Sequence, residues 1–103
     1  YFKIAEVPNN SLNNHWMNIL KINSNKSLSR AFLLEYLNKK GINARPVWRL
    51  NHNQKPFKSY EKYKISRATY LYNTSICLPS GPSLSKKDIN YIYEILYKLE
   101  KKQ

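Results

Sequence analysis

The chain has 103 residues and a formal net charge of +12 at pH 7. This length suits one domain and is too short for two independent hydrophobic cores. The charge alone favours a polyanion partner, but Lys and Arg are scattered along the chain. The one dense cluster, in the last helix that we predict, lies where cations suit the helix dipole. Nucleic-acid binding is therefore disfavoured, since it requires positive charge clustered on one face.

Composition also bears on the compartment and on the extent of the chain. No apolar run approaches the roughly 20 residues that span a bilayer, and no signal-peptide pattern is present. The single Cys77 is predicted to pack as a small apolar side chain, which is compatible with the cytoplasm. We therefore expect a soluble, cytoplasmic protein without a membrane partner. Because the first residue is Tyr1 and the only methionine is Met17, we also expect a fragment of a longer protein.

The first half of the chain predicts a strand and a helix. Residues 1–7 alternate weakly and are interpreted as the tail of a preceding element. The mostly apolar residues 15–22 predict a buried strand. After a turn at 23–26, Ser27 or Ser29 can cap a helix that ends before Gly41.

The second half predicts two more strands and two helices. Residues 42–50 have the composition of a strand, but Pro46 lacks an N–H and must lie at a sheet edge or an irregularity. Residues 51–66 predict a loop that leads to a turn or two of helix, because Phe57, Tyr60 and Tyr63 are spaced by three. The remaining predicted elements are a helix at 67–73, a buried strand at 75–78 and a final helix capped by Ser85 with Asp88. The sequence thus predicts an α+β fold, a small sheet with helices packed on it.

Residues 41–57 hold a dense polar and aromatic cluster that packing does not require, which makes them the best candidate for a functional site. Arg45 and Arg49 carry forked donors suited to a phosphate or carboxylate. For Arg45, a ligand-binding role and a solvent-facing role without function are equally favoured. For Arg49, the solvent-facing role is favoured.

Trp48 can stack on a sugar or base, although a tryptophan in a strand more often belongs to the core. His52 lies in a polar loop, where a surface or supporting role is the default interpretation, and only its neighbours Trp48 and Gln54 favour a functional role. His15 is interpreted as structural.

Other chemistry has little support in the sequence. A single Cys and two distant His residues cannot form a closed zinc site. Gly41 and Gly81 do not form a phosphate-binding loop, and carboxylates are few in the middle of the chain. We therefore predict neither a metal site nor a catalytic residue.

Several short motifs follow one another along the chain. They are Asn14-His15-Trp16, Gly41-Ile42 after an Arg-containing helix, Arg45-Pro46-Val47-Trp48, His52-Asn53-Gln54-Lys55-Pro56-Phe57, Arg67-Ala68 and Leu78-Pro79-Ser80-Gly81. Their order and spacing resemble the C-terminal part of the DegT/DnrJ/EryC1/StrS family of pyridoxal-phosphate sugar aminotransferases. Two positions depart from that pattern: Leu50 stands where many members have a proline, and Lys55 is inserted between Gln54 and Pro56.

The resemblance implies that residues 1–103 are a single domain, the C-terminal small domain of a fold-type I aminotransferase. The small sheet would be about three-stranded and largely antiparallel, and residues 1–13 would be a linker from a large domain. Pyridoxal phosphate and its Schiff-base lysine would belong to that large domain, so we expect the isolated chain to be inactive and to bind no cofactor.

The implied enzyme is a homodimer that transfers an amino group, from glutamate, to a nucleotide-linked keto sugar. Its products would be amino sugars for bacterial surface glycans. The predicted substrate-binding residues are then Arg45, Trp48, His52 and Gln54.

Two other functions are kept as alternatives. The basic composition suits a small module that binds RNA or another polyanion, for which salt-sensitive binding is the test. The tyrosine-rich final helix suits a protein-interaction domain, for which concentration-dependent association is the test.

Overall fold

The computed structural model describes residues 1–23 and 28–102. These residues form an open antiparallel sheet of four strands with three α-helices, which confirms the predicted α+β class. The strands are β1 (Phe2–Ile4), β2 (Asn18–Ile22), β3 (Arg45–Pro46) and β4 (Ser75–Leu78), and the helices are α1 (Arg30–Lys39), α2 (Ser66–Thr74) and α3 (Lys86–Lys101). None of the helices in these two ranges is long and apolar enough to cross a bilayer.

The sheet has the order β1-β2-β4-β3, and each neighbouring pair is antiparallel. Side chains alternate between its two faces, so Leu20 of β2 and its partner Ile76 of β4 point to the same side. That side is the core, where β2 and β4 pack with α1 and α3. The buried cluster comprises Leu20, Ile22, Leu28, Leu33, Leu37, Ile42, Ala44, Ile76, Leu96 and Leu99. Helix α2 contacts the same two strands.

Helix α1 begins and ends where its local sequence directs. The Ser29 hydroxyl accepts a hydrogen bond from the Phe32 N–H at 3.1 Å, so Ser29 is the N-cap. At the other end Gly41 has φ +76, and the Ile42 N–H donates to the Leu37 carbonyl at 3.0 Å. This Schellman motif turns the chain back towards the sheet.

Helix α3 has the capping box that the sequence predicts. The Ser85 N–H donates to Asp88 Oδ2 at 2.8 Å, and the Asp88 N–H donates to Ser85 Oγ at 3.2 Å. The Ser85 hydroxyl also donates to Asp88 Oδ2, at 2.7 Å. This bond, together with that from the Ser85 N–H, holds the pKa of the Asp88 carboxyl below its usual range. The helix then buries Leu96 and Leu99, and it ends in the lysine-rich tail as predicted.

Some predicted boundaries differ from the structure. Strand β1 falls within residues 1–13, which we expected to be a linker, and this is why the sheet has four strands rather than about three. Strand β2 is shorter than the predicted 15–22 because residues 13–16 form turns, in which the Asn13 and Asn14 side chains accept bonds from the backbone. Residues 24–27, which include most of the predicted turn and the alternative cap Ser27, lie outside the described residues.

Candidate functional site

The loop that follows β3 is built from two consecutive 3₁₀ turns, Asn51–Asn53 and Lys55–Phe57. Of the predicted strand at residues 42–50, only Arg45–Pro46 pairs with β4, because proline cannot donate to the ladder. Gln54 joins the two turns, and its Nε2 donates to the Arg49 carbonyl at 3.1 Å and to Asn51 Oδ1 at 3.2 Å. The loop therefore has a defined shape that its own amide side chain maintains.

Trp48 lies on the surface at the start of this loop, with 62% of its area exposed. The core interpretation of this residue is wrong, because the strand ends before it. Its ring contacts that of Trp16, with centroids 6.1 Å apart and planes at 44°. Trp16 is itself held from both sides, since its N–H donates to Asn14 Oδ1 at 3.0 Å and its carbonyl accepts from the Ser80 hydroxyl. The tryptophan pair is thus an exposed aromatic platform on an anchored backbone.

Two surface hollows meet at Trp48. The aromatic hollow, of about 530 Å³, is lined by Trp48, Arg49, Leu50, Asn51, His52, Phe57, Tyr60, Glu61, Lys62, Tyr63 and Ile65. The cationic hollow, of about 710 Å³, is lined by Trp48, Arg49, Asn51, Gln54, Lys55 and Pro56. Both volumes fall in the range of small-molecule sites. Aromatic rings, amides and cations together suit a ligand that is polar, anionic and partly flat.

The structure brings three of the four predicted site residues together. Trp48 and His52 line the aromatic hollow, and Trp48 and Gln54 line the cationic hollow. Arg45 lies elsewhere, in a separate hollow of about 370 Å³ beside Cys77 and Ser80. The arginine that accompanies Trp48 is Arg49, for which the sequence favoured a solvent-facing role. The binding roles of all these side chains stay predictions.

Tyr60 and Tyr63 are the site-lining residues that sequence reasoning missed. Both are largely exposed and line the aromatic hollow together with Phe57. Their spacing of three along the chain predicts a turn of helix. The structure has a 3₁₀ turn at Lys55–Phe57, and after it the Tyr60 N–H donates to the Phe57 carbonyl, so the chain is locally helical up to Tyr60. The sequence signal that could have identified them was the presence of aromatic residues in an otherwise polar loop.

The described residues bear on three kinds of chemistry: metal binding, thiol reactivity and reactions of lysine. Within residues 1–23 and 28–102, no group of three His, Cys, Asp or Glu side chains is placed to hold a metal ion. Burial raises the pKa of the Cys77 thiol, so this group stays protonated beside Arg45 and is a poor nucleophile. Within the described ranges the lysine side chains are exposed or of intermediate burial.

Comparison with known families assigns a class to this domain: it is part of an aminotransferase-family protein. The sequence model that matches is that of the DegT/DnrJ/EryC1/StrS aminotransferase family, over residues 1–97. The chain belongs to this family.

Proposed function

We propose that this chain is the C-terminal domain of a pyridoxal-phosphate-dependent aminotransferase that acts on a nucleotide-linked keto sugar, with glutamate as amino donor. The enzyme would be a cytoplasmic homodimer that makes amino sugars for bacterial surface glycans. Membership of the aminotransferase family supports the reaction class. The observation that supports the substrate class is the lining of the two hollows, which combines Trp48 and His52 with cationic side chains.

The roles of the individual side chains follow from their positions. The exposed face of Trp48 packs against a flat part of the substrate, a sugar or a base. His52 is half-buried beside it and hydrogen-bonds to a substrate hydroxyl. Gln54 acts through the loop, since its amide N–H groups are directed to the Arg49 carbonyl and to Asn51. Arg45 contacts the substrate only if the substrate also reaches the separate hollow beside Cys77 and Ser80.

The cofactor and the Schiff-base lysine belong to another part of the enzyme in this proposal, and the isolated chain is inactive. The domain contributes binding and orientation, and it shields one side of the substrate from water. Uniform binding of this kind lowers KM and leaves the chemical step to the residues at the cofactor.

The test is a kinetic comparison in the enzyme that carries this domain. Trp48→Ala should raise the KM for the nucleotide-linked keto sugar about tenfold, since the loss of one aromatic stacking contact costs about 1 to 3 kcal/mol. The KM for glutamate should stay unchanged. Tyr93→Ala is the matched control, because Tyr93 is an equally exposed aromatic residue on α3.

Two results would contradict the proposal. One is an equal effect of Trp48→Ala on both substrates, which would indicate a structural role for the ring. The other is the absence of amino transfer to any nucleotide-linked keto sugar.

A binding module for RNA or another polyanion is the second candidate, because the site loop is strongly basic. Residues 49–67 contain six Lys and Arg residues and a single carboxylate, Glu61. Exposed aromatic rings interleaved with cations are typical of single-stranded nucleic-acid surfaces. A flat electrophoretic-shift titration with single-stranded RNA at low salt would eliminate this candidate.

A further inference from the structure

Two cations share the cationic hollow, and its lining contains no carboxylate. Arg49 and Lys55 border this space of about 710 Å³ together with Trp48 and the polar side chains of Asn51 and Gln54. The aromatic hollow shares Trp48, Arg49 and Asn51 with it. That hollow differs because Glu61 lies in its lining and offsets part of the positive charge. Of the two spaces, the cationic hollow is the one suited to a group with more than one negative charge.

We propose that Arg49 and Lys55 form a phosphate subsite that binds the diphosphate of a nucleotide-linked substrate beside Trp48. This inference rests on the proposed function and specifies which part of the substrate occupies which hollow. It also replaces Arg45, which the sequence suggested and the structure places in another hollow, with Arg49 as the arginine that binds the phosphates.

The surroundings leave both cations available to a ligand. Within residues 1–23 and 28–102, neither Arg49 nor Lys55 forms an ion pair, whereas Lys39 on α1 is paired with Glu35 at 2.6 Å. Two like charges on one hollow repel each other, and a phosphate group relieves that repulsion while it accepts hydrogen bonds from both. The guanidinium supplies two parallel donors, and the ammonium supplies a mobile point charge.

The backbone at Lys55 is fixed by its neighbours. Lys55 is the first residue of the 3₁₀ turn Lys55–Phe57. Pro56 is the next residue of the same turn, and its restricted φ stabilises that turn. The preceding Gln54 is anchored to Arg49 through the bond from Nε2 to the Arg49 carbonyl. The two cationic residues are thus connected through one hydrogen-bonded loop and border the same space.

Lys55 is also one of the two positions that depart from the resembled family pattern, standing between Gln54 and Pro56. Its contribution to phosphate binding is therefore a property of this chain rather than of the pattern it resembles.

Binding of uridine diphosphate to the full chain tests the assignment. The chain contains two tryptophans, so an NMR spectrum shows two indole N–H signals, which Trp16→Phe assigns. Uridine diphosphate should shift the Trp48 signal, and uridine, which lacks the phosphates, should bind at least about tenfold more weakly. Lys55→Ala should weaken diphosphate binding about three- to tenfold and leave uridine binding unchanged. Lys87→Ala, which removes an exposed lysine at the start of α3, is the matched control.

The outcomes separate this inference from the proposed function. Equal affinity of the unmodified chain and Lys55→Ala for uridine diphosphate, with a Trp48 shift in both, would overturn the subsite. The same holds if Trp48→Ala raises the KM for the nucleotide sugar while Lys55→Ala does not, and in that case the proposed function survives. Salt-sensitive binding of single-stranded RNA through Arg49 and Lys55, without binding of the mononucleotide, would overturn both in favour of the polyanion module.

Discussion

Substitution of Leu33 by alanine should test the core on which the site loop is carried. Leu33 lies on α1 with 0% of its area exposed, between the helix layer and the central strands. The change removes most of an aliphatic side chain, for which lost burial amounts to about 2 to 2.5 kcal/mol. The unfilled cavity raises the cost further, so we expect the free energy of unfolding to fall by about 3 to 4 kcal/mol. That is a large part of the roughly 5 to 15 kcal/mol that stabilises a typical domain.

Urea denaturation followed by far-UV circular dichroism measures this loss, with the slope of the transition compared to check two-state behaviour. Leu12→Ala is the matched control, because Leu12 is fully exposed and should change the stability by less than about 0.5 kcal/mol. A loss below about 1 kcal/mol for Leu33→Ala, or equal losses for the two variants, would refute the reasoning.

Two further predictions concern helix ends. Gly41→Ala should lower the free energy of unfolding by about 1 kcal/mol, because Gly41 has φ +76 and the added methyl meets no described atom within 4 Å, so that only backbone strain is added. Gly81 does not have this conformation, so Gly81→Ala should be near neutral in the same urea assay. Equal effects of the two substitutions would contradict the strain argument. Asp88→Asn should destabilise the protein at pH 7. The pKa of Asp88 is lowered in the folded state, so its contribution is present above the usual carboxyl range and disappears as the pH falls through the lowered value. Urea denaturation at a series of pH values measures the difference in unfolding free energy between the unmodified protein and Asp88→Asn. If that difference does not change with pH, the charge of Asp88 is not its cause.

The helix ends were predictable from sequence because their causes are local. Ser29, Gly41 and the pair Ser85 and Asp88 each act on backbone groups within a few residues. Side-chain type and spacing in the sequence are therefore sufficient to predict where these helices begin and end. The central strand β4 was predictable for a similar reason, since a short apolar run between helical segments has few alternatives.

The extent of the sheet edges and the grouping of the site residues depend on contacts between distant parts of the chain. Strand β1 is three residues long and exists because it pairs with β2, so its weak alternation gave little signal. Trp48 is exposed because β3 ends at Pro46, and Arg45 lines a different hollow from Trp48. The contact between Trp16 and Trp48 joins segments more than thirty residues apart. Motif order alone could not specify that contact.

The short strand β3 also affects how this protein associates with other chains. An exposed sheet edge offers unpaired backbone groups to any extended segment, which is a common route to aggregation. At one edge the strand is limited to Arg45–Pro46, and the proline provides no N–H to an incoming strand. At the other edge β1 carries the charged Lys3, largely exposed and paired with Glu6. Within the described residues, both sheet edges therefore disfavour the addition of an incoming strand, so contacts between copies of this chain are expected at other surfaces.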